Sequence, residues 1–128
     1  MRIEHIAYCV KDPVRAAEWY VAHAGFRVTR KTGPPTHTHF LADAGGRVMI
    51  EIYNNAKVVV PDYAAMDPLI LHLAFSLDDV DGTFERLRNA GAAPEGNPAT
   101  LPNGDRIAML RDPWGFPIQL VRRAEPMV

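Results

Sequence analysis

The sequence predicts an α+β fold made of two β-α-β-β-β modules in tandem that together form a cupped mixed sheet. Three observations predict it. The chain repeats itself: "IEHIAYCVKD" (residues 3–12) lies over "ILHLAFSLDD" (residues 70–79), with His5 over His72 and Asp12 over Asp79 at one constant offset. Each copy runs into a helical pattern opened by an aspartate and closed by a glycine. After each helix come three β-like runs divided by turn residues.

The elements follow in order. In the first module, residues 3–10 read as a strand. Asp12 is an N-cap and Pro13 occupies the favoured first helical position. Val14, Ala17, Val21 and Ala24 recur at near-helical spacing, and Gly25 stops the helix. Residues 25–30, 36–42 and 47–53 read as strands, with "DAGG" as a hairpin signal between the last two. In the second module Asp79 caps a helix whose stripe is Val80, Phe84, Leu87 and Ala90, and Gly91 ends it. Residues 93–97, 106–110 and 116–122 complete that module, with "PNGD" and "DPWG" as turns. One domain is expected, with module one at about 1–54, a connecting segment at about 55–68, and module two at about 69–123. The connecting segment has room for a short strand or a lid.

Composition narrows the function classes. Of 128 residues, 48% are hydrophobic, enough for a core without disulfides or an obligatory structural metal. The formal net charge is −1 with both signs interspersed, so no basic stripe offers a phosphate footprint and nucleic acid is not an expected partner. The N-terminal "MRIEHIAYCV" is too short and polar for a signal peptide, and no apolar run spans a bilayer. A single cysteine, Cys9, makes no internal disulfide and favours a reducing cytoplasm.

Strand parity then singles out four residues. Side chains alternate faces along a strand. Ile6, Tyr8 and Val10 make one apolar row suited to packing under the helix, leaving His5, Ala7 and Cys9 on the other side. Leu71, Leu73, Phe75 and Leu77 repeat that row, opposite His72, Ala74 and Ser76. In the last strand of each module Ile50 and Ile52, then Ile118 and Leu120, turn inward. Glu51 and Gln119 therefore face away from the helix, with His5 and His72. Two imidazoles, a carboxylate and an amide oxygen are all competent ligands for a divalent ion. Taken singly, each is equally a polar residue satisfied in a wet groove; the duplicated spacing is what points to metal.

The stretches "HIAYCVKDPVRAAEWY", "VMIEIY", "LHLAFSLDDVDGTFERL" and "DPWGFPIQL" resemble the vicinal oxygen chelate superfamily, which includes glyoxalase I, methylmalonyl-CoA epimerase, extradiol dioxygenases and bleomycin-binding proteins. The resemblance covers nearly the whole chain and looks closest to short glyoxalase I-like proteins. It implies the glyoxalase-like fold, with metal ligands at His5, Glu51, His72 and Gln119, and a divalent ion (Ni, Zn, Co, Mn or Fe). It also implies a homodimer whose sites are shared between chains. Two departures stand out. Glyoxalase I has a proton-shuttling glutamate where this chain has Gln119, and an amide does not accept a proton near neutral pH. Glutathione-using relatives commonly carry an arginine where this chain has Cys9, although Asn55 matches a glutathione-contacting asparagine. Ordinary glutathione-dependent activity is therefore not the expectation. An inventory of two His, one Glu and one Gln also resembles that of methylmalonyl-CoA epimerase.

The leading expectation is a metal-dependent lyase or isomerase of a small vicinal-oxygen carbonyl substrate, with the ion as Lewis acid and Glu51 as the catalytic proton carrier. The alternatives are a non-haem Fe(II) extradiol-type dioxygenase and a non-enzymatic module that binds a small molecule of antibiotic type. Secondary candidates for the substrate pocket are His37, His39, Cys9, Tyr53, Asn55 and Trp114, with Phe40 and Met49 as apolar wall. The plainer reading makes His37 and His39 part of a solvated strand, and Cys9 a packing residue.

Overall fold

Asp12 and Gly25 bracket the first helix for local reasons. In the computed structural model, which describes residues 1–127, the Asp12 carboxylate accepts the Arg15 amide at 3.1 Å. Gly25 takes the left-handed conformation at φ 73° and donates its own amide back to Tyr20. Between them lies α1 (Pro13–Ala24), preceded by β1 (His5–Cys9). It is followed by β2 (Arg27–Lys31), β3 (His39–Ala42) and β4 (Met49–Tyr53). The sheet order is β1-β4-β3-β2, with β1 and β4 parallel and the other pairs antiparallel.

The first helix buries a different stripe from the one its aliphatic spacing suggests. Ala16, Ala17, Trp19 and Tyr20 are buried, whereas Val14 and Val21 are 37% and 40% exposed. The two aromatic rings carry the most apolar area and decide the rotation. Tyr20 meets Phe26 edge-on at 5.7 Å and Trp19 at 5.1 Å. The helix crosses β2, β3 and β4, so Tyr8 and Val10 are covered while Ile6, near the outer end of edge strand β1, is 46% exposed.

The second unit repeats the plan: β5 (Leu73–Ser76), α2 (Val80–Asn89), β6 (Ala93–Pro94), β7 (Ala99–Thr100), β8 (Arg106–Arg111) and β9 (Pro117–Arg122). The order is β5-β9-β8-β6, with β7 also on β8 and with β5 parallel to β9. Asp79 caps α2 through the Gly82 amide at 2.9 Å, and Val80, Phe84 and Leu87 are its buried stripe. Two helices and nine strands among the described residues make the α+β, glyoxalase-like fold. The chain divides into two compact units, Met1–Pro61 and Asp62–Val128.

Strand boundaries differ from the sequence reading where backbone chemistry intervenes. The second strand begins at Arg27 because Gly25 is the helix cap. The third begins at His39, since His37 sits at φ 45° and breaks the extension. The expected strand over 93–97 shortens to β6, ending before Gly96 (φ 86°), and a further short strand, β7, follows Pro98, which lacks an amide for the ladder.

The connecting segment carries a single 3-10 turn, Tyr63–Ala65, and no strand. The side chain of Arg111, largely buried, ties this stretch down. Its guanidinium donates to the carbonyls of Tyr63 (2.7 Å), Met66 (2.8 Å) and Gly115 (3.2 Å) and pairs with Glu95. Tyr63 packs edge-on against Phe116 at 5.1 Å. A Cβ on Gly115 would come within 2.8 Å of the Ala64 backbone nitrogen, so the "DPWG" turn needs its glycine for approach as well as for its φ of 87°. The stretch 63–66 is thus clamped, where the sequence leaves room for a lid.

Two stability predictions follow from these contacts. Arg111→Met leaves three carbonyls and Glu95 without their donor and should lower unfolding free energy by roughly 2–4 kcal/mol in chemical denaturation; an unchanged midpoint and slope would contradict the clamp. The Asp105 carboxylate accepts from the Ala124 amide (2.9 Å), Arg123 (2.7 Å) and Asn103 (3.1 Å). These hold it below its ordinary value of 3.8, the Ala124 bond most. The folded value is depressed, so its contribution is present above pH 3.8 and is lost as pH falls through the folded value. Asp105→Asn should flatten that part of an acid-stability titration.

Candidate metal centre

The parallel pairing of first and last strands sets the site residues side by side. Within the first unit, β1 runs beside β4 with Ala7 opposite Glu51 and His5 opposite Met49. Paired residues share a face, so His5 lies one diagonal step from Glu51. The structure closes that step: His5 Nε2 is 3.3 Å from Glu51 Oε2. In the second unit Ala74 is opposite Gln119, and His72 again lies two residues before the paired alanine. Each unit thus carries one imidazole and one oxygen donor at matching positions in the chain.

The other ring nitrogen of each histidine is already committed. His72 Nδ1 lies 2.9 Å from the Pro68 carbonyl, which only accepts, so Nδ1 carries the proton. His5 Nδ1 lies 2.5 Å from Glu4 Oε2, another acceptor. That leaves His5 Nε2 facing the Glu51 carboxylate, two electron-rich atoms meeting at 3.3 Å. Such a pair calls for a positive charge, either a proton on Nε2 or a cation held by both. The Phe40 ring stands edge-on to His5 at 5.4 Å and screens one side.

Among the described residues no three His, Cys, Asp or Glu side chains gather into one cluster. The first unit brings together two of the four sequence candidates, His5 and Glu51, while His72 and Gln119 stand at the matching positions of the second. The secondary candidates divide. Cys9 and Tyr53 are paired across β1 and β4 on the Glu51 face, Cys9 buried and Tyr53 half-buried. Phe40 is opposite Glu51 and shares that face. His39 is opposite Ile52, which puts it on the helix-covered face, buried and donating to the His37 carbonyl at 2.7 Å. His39 is therefore neither solvated nor on the Glu51 face, and His37 precedes the strand. Asn55 accepts the Lys57 amide in a local turn at 3.0 Å. Trp114 is half-buried in the turn before β9.

Sequence reasoning missed Glu4 and Arg30. Glu4 precedes β1, so alternation gave no sign that it would reach His5. Arg30 faces the Glu51 side because a bulge at Thr29 shifts the β2–β3 register.

Residues 2–120 match the family model described as the Glyoxalase/Bleomycin resistance protein/Dioxygenase superfamily. The chain belongs to this superfamily. Among its superfamily relatives is a probable lactoylglutathione lyase of Vibrio cholerae, 28% identical over 130 residues, covering 97% of this chain and 92% of the relative. A lactoylglutathione lyase of Arabidopsis thaliana is 27% identical over 128 residues, 95% of this chain; the chain spans 44% of the length of that plant relative. Among solved structures, TnmS3, an antibiotic binding protein from Streptomyces sp. CB03234, superposes with a TM-score of 0.76 at 25% identity, covering 97% of each chain. No helix among the described residues is long and apolar enough to cross a membrane.

The tautomer argument is directly measurable. Long-range nitrogen–proton NMR at neutral pH should find His72 protonated on Nδ1; a ring protonated on Nε2 alone would contradict the Pro68 hydrogen bond.

Proposed function

We propose that the protein is a metal-dependent lyase or isomerase acting on a small carbonyl compound with vicinal oxygens. The observation that carries this reading is the His5 Nε2–Glu51 Oε2 approach at 3.3 Å, with Nδ1 already engaged by Glu4. The donor set fits a divalent ion: lone pairs at His5 and His72 Nε2, a carboxylate at Glu51, and the amide oxygen of Gln119. A bound ion would supply Lewis acidity that polarises the substrate's oxygens and stabilises negative charge developing on them. Superfamily membership and the lactoylglutathione lyase relatives support the reaction class.

The chain's own residues divide the work unequally. Gln119 has no proton affinity near neutral pH, so it serves only as an oxygen donor. Glu51 is the one carboxylate of the four. It takes the proton from the carbon beside the carbonyl and returns it to the neighbouring carbon. His5 and His72 hold position, each ring fixed through Nδ1. Edge strands β1 and β5 carry exposed Ile3, Ile6, Ile70 and Leu71 at or just before them. These apolar edges support a homodimer that assembles shared sites, and the single cysteine, Cys9, which forms no disulfide, supports a reducing cytoplasmic setting.

The TnmS3 likeness favours a second reading, a binding module that sequesters a small molecule. Elemental analysis of protein purified without a histidine tag separates the two. The proposal predicts about one divalent ion per site, lost on His5→Ala or His72→Ala, and turnover on a panel of glyoxalase and epimerase substrates. Glu51→Gln should keep the ion while cutting turnover by about 10²–10⁴. Full turnover in that variant would remove Glu51 as the base, and protein that holds no ion would favour the binding module.

A further inference from the structure

A cleft of about 440 Å³ opens on the first unit, lined by Glu4, Thr29, Arg30, Phe40 and Met49. It lies on the same face as the His5–Glu51 pair. The registers show why: Arg30 is opposite Phe40, Phe40 opposite Glu51, and Met49 opposite His5. Arg30 therefore stands two strands from Glu51, about 10 Å between backbones.

The bulge makes this arrangement. Val28 pairs with Leu41 and Arg30 with Phe40, so Thr29 is the extra residue of β2. A regular ladder would send Thr29 and Arg30 to opposite faces; both instead line the cleft. Thr29 Oγ1 donates to the Phe40 carbonyl at 3.1 Å and lies 3.2 Å from Met49 Sδ, pinning the bulge to β3 and β4.

The charges of the cleft are unequally spent. Glu4 is held by His5 Nδ1. The Arg30 guanidinium has no hydrogen bond or ion pair among the described residues. We propose that Arg30 is a specificity-determining residue that binds the carboxylate of an anionic substrate whose apolar body lies on Phe40 and Met49. The substrate class is then a small organic acid with its carboxylate remote from the oxygens at His5 and Glu51. Guanidinium and carboxylate match as a two-point, charge-assisted pair, whereas a neutral amide gives only ordinary hydrogen bonds. Charged residues on an edge strand also discourage unwanted pairing, and this accounts for Arg27 and Lys31. It does not account for a bulge that turns Arg30 into a cleft. The inference rests on the metal reading only for where the reacting oxygens lie.

The test uses phenylacetate and phenylacetamide, matched in shape and differing in charge. Binding is followed by the Met49 methyl resonance in methyl-labelled protein, as purified and again after dialysis against a chelator. Phenylacetate should bind roughly five- to tenfold more tightly than phenylacetamide in both preparations. Arg30→Gln should remove the difference, and Arg30→Lys should restore part of it. Equal affinities, a preference that survives Arg30→Gln, or a Met49 methyl that neither probe moves would each overturn the proposal. Ion content measured on the same samples keeps the two claims apart. Discrimination by protein that holds no ion as purified sinks the metal reading alone, and a bound ion without discrimination sinks this one alone.

Discussion

Everything at the candidate site depends on the parallel pairing between the first and last strand of each module. A chain that ran straight through its strands as a meander would leave His5 and Glu51 at opposite edges of the sheet. Instead β4 returns to lie beside β1, and β9 beside β5. The helix supplies the crossover that this pairing requires, since parallel neighbours need a long connection. Its buried face, built on Tyr20 in α1 and on Phe84 and Leu87 in α2, seals one side of the sheet and leaves the other for polar residues. The apolar core and the polar site are thus two faces of one set of hydrogen bonds.

That arrangement has an electrostatic consequence. The His5 imidazole and the Glu51 carboxylate are held 3.3 Å apart by strands whose register leaves little freedom. Glu4 on Nδ1 makes the imidazole more electron-rich and deepens the demand for a positive charge at Nε2. In the second unit a neutral carbonyl plays the part of Glu4 and an amide the part of Glu51. The two units share a strand pairing and differ in charge at these positions.

Much of this was legible in the sequence because period-two alternation and capping chemistry are local. Asp12, Pro13 and Gly25 fix α1, and Asp79 fixes the start of α2, within a turn of their own positions. Parity alone put His5, Glu51, His72 and Gln119 on the faces turned away from the helices. The failures have equally definite causes. The α1 stripe was misread because aliphatic spacing ignores the larger area of Trp19 and Tyr20. His39 was misassigned because the register of β3 against β4 is set by pairing, which no single strand reveals. The role of Arg111 was hidden because two of its carbonyl partners lie 45 and 48 positions away, and carbonyls leave no mark in a sequence. Arg30 was hidden by one extra residue in β2.

Whether a cation binds at the His5–Glu51 approach decides the proposed function. The most direct measurement titrates chelator-treated protein with cobalt(II) while following the His5 imidazole resonances. The proposed function predicts that the His5 ring responds and saturates, and that Glu51→Ala weakens the response. A His5 ring that cobalt leaves unmoved would contradict it.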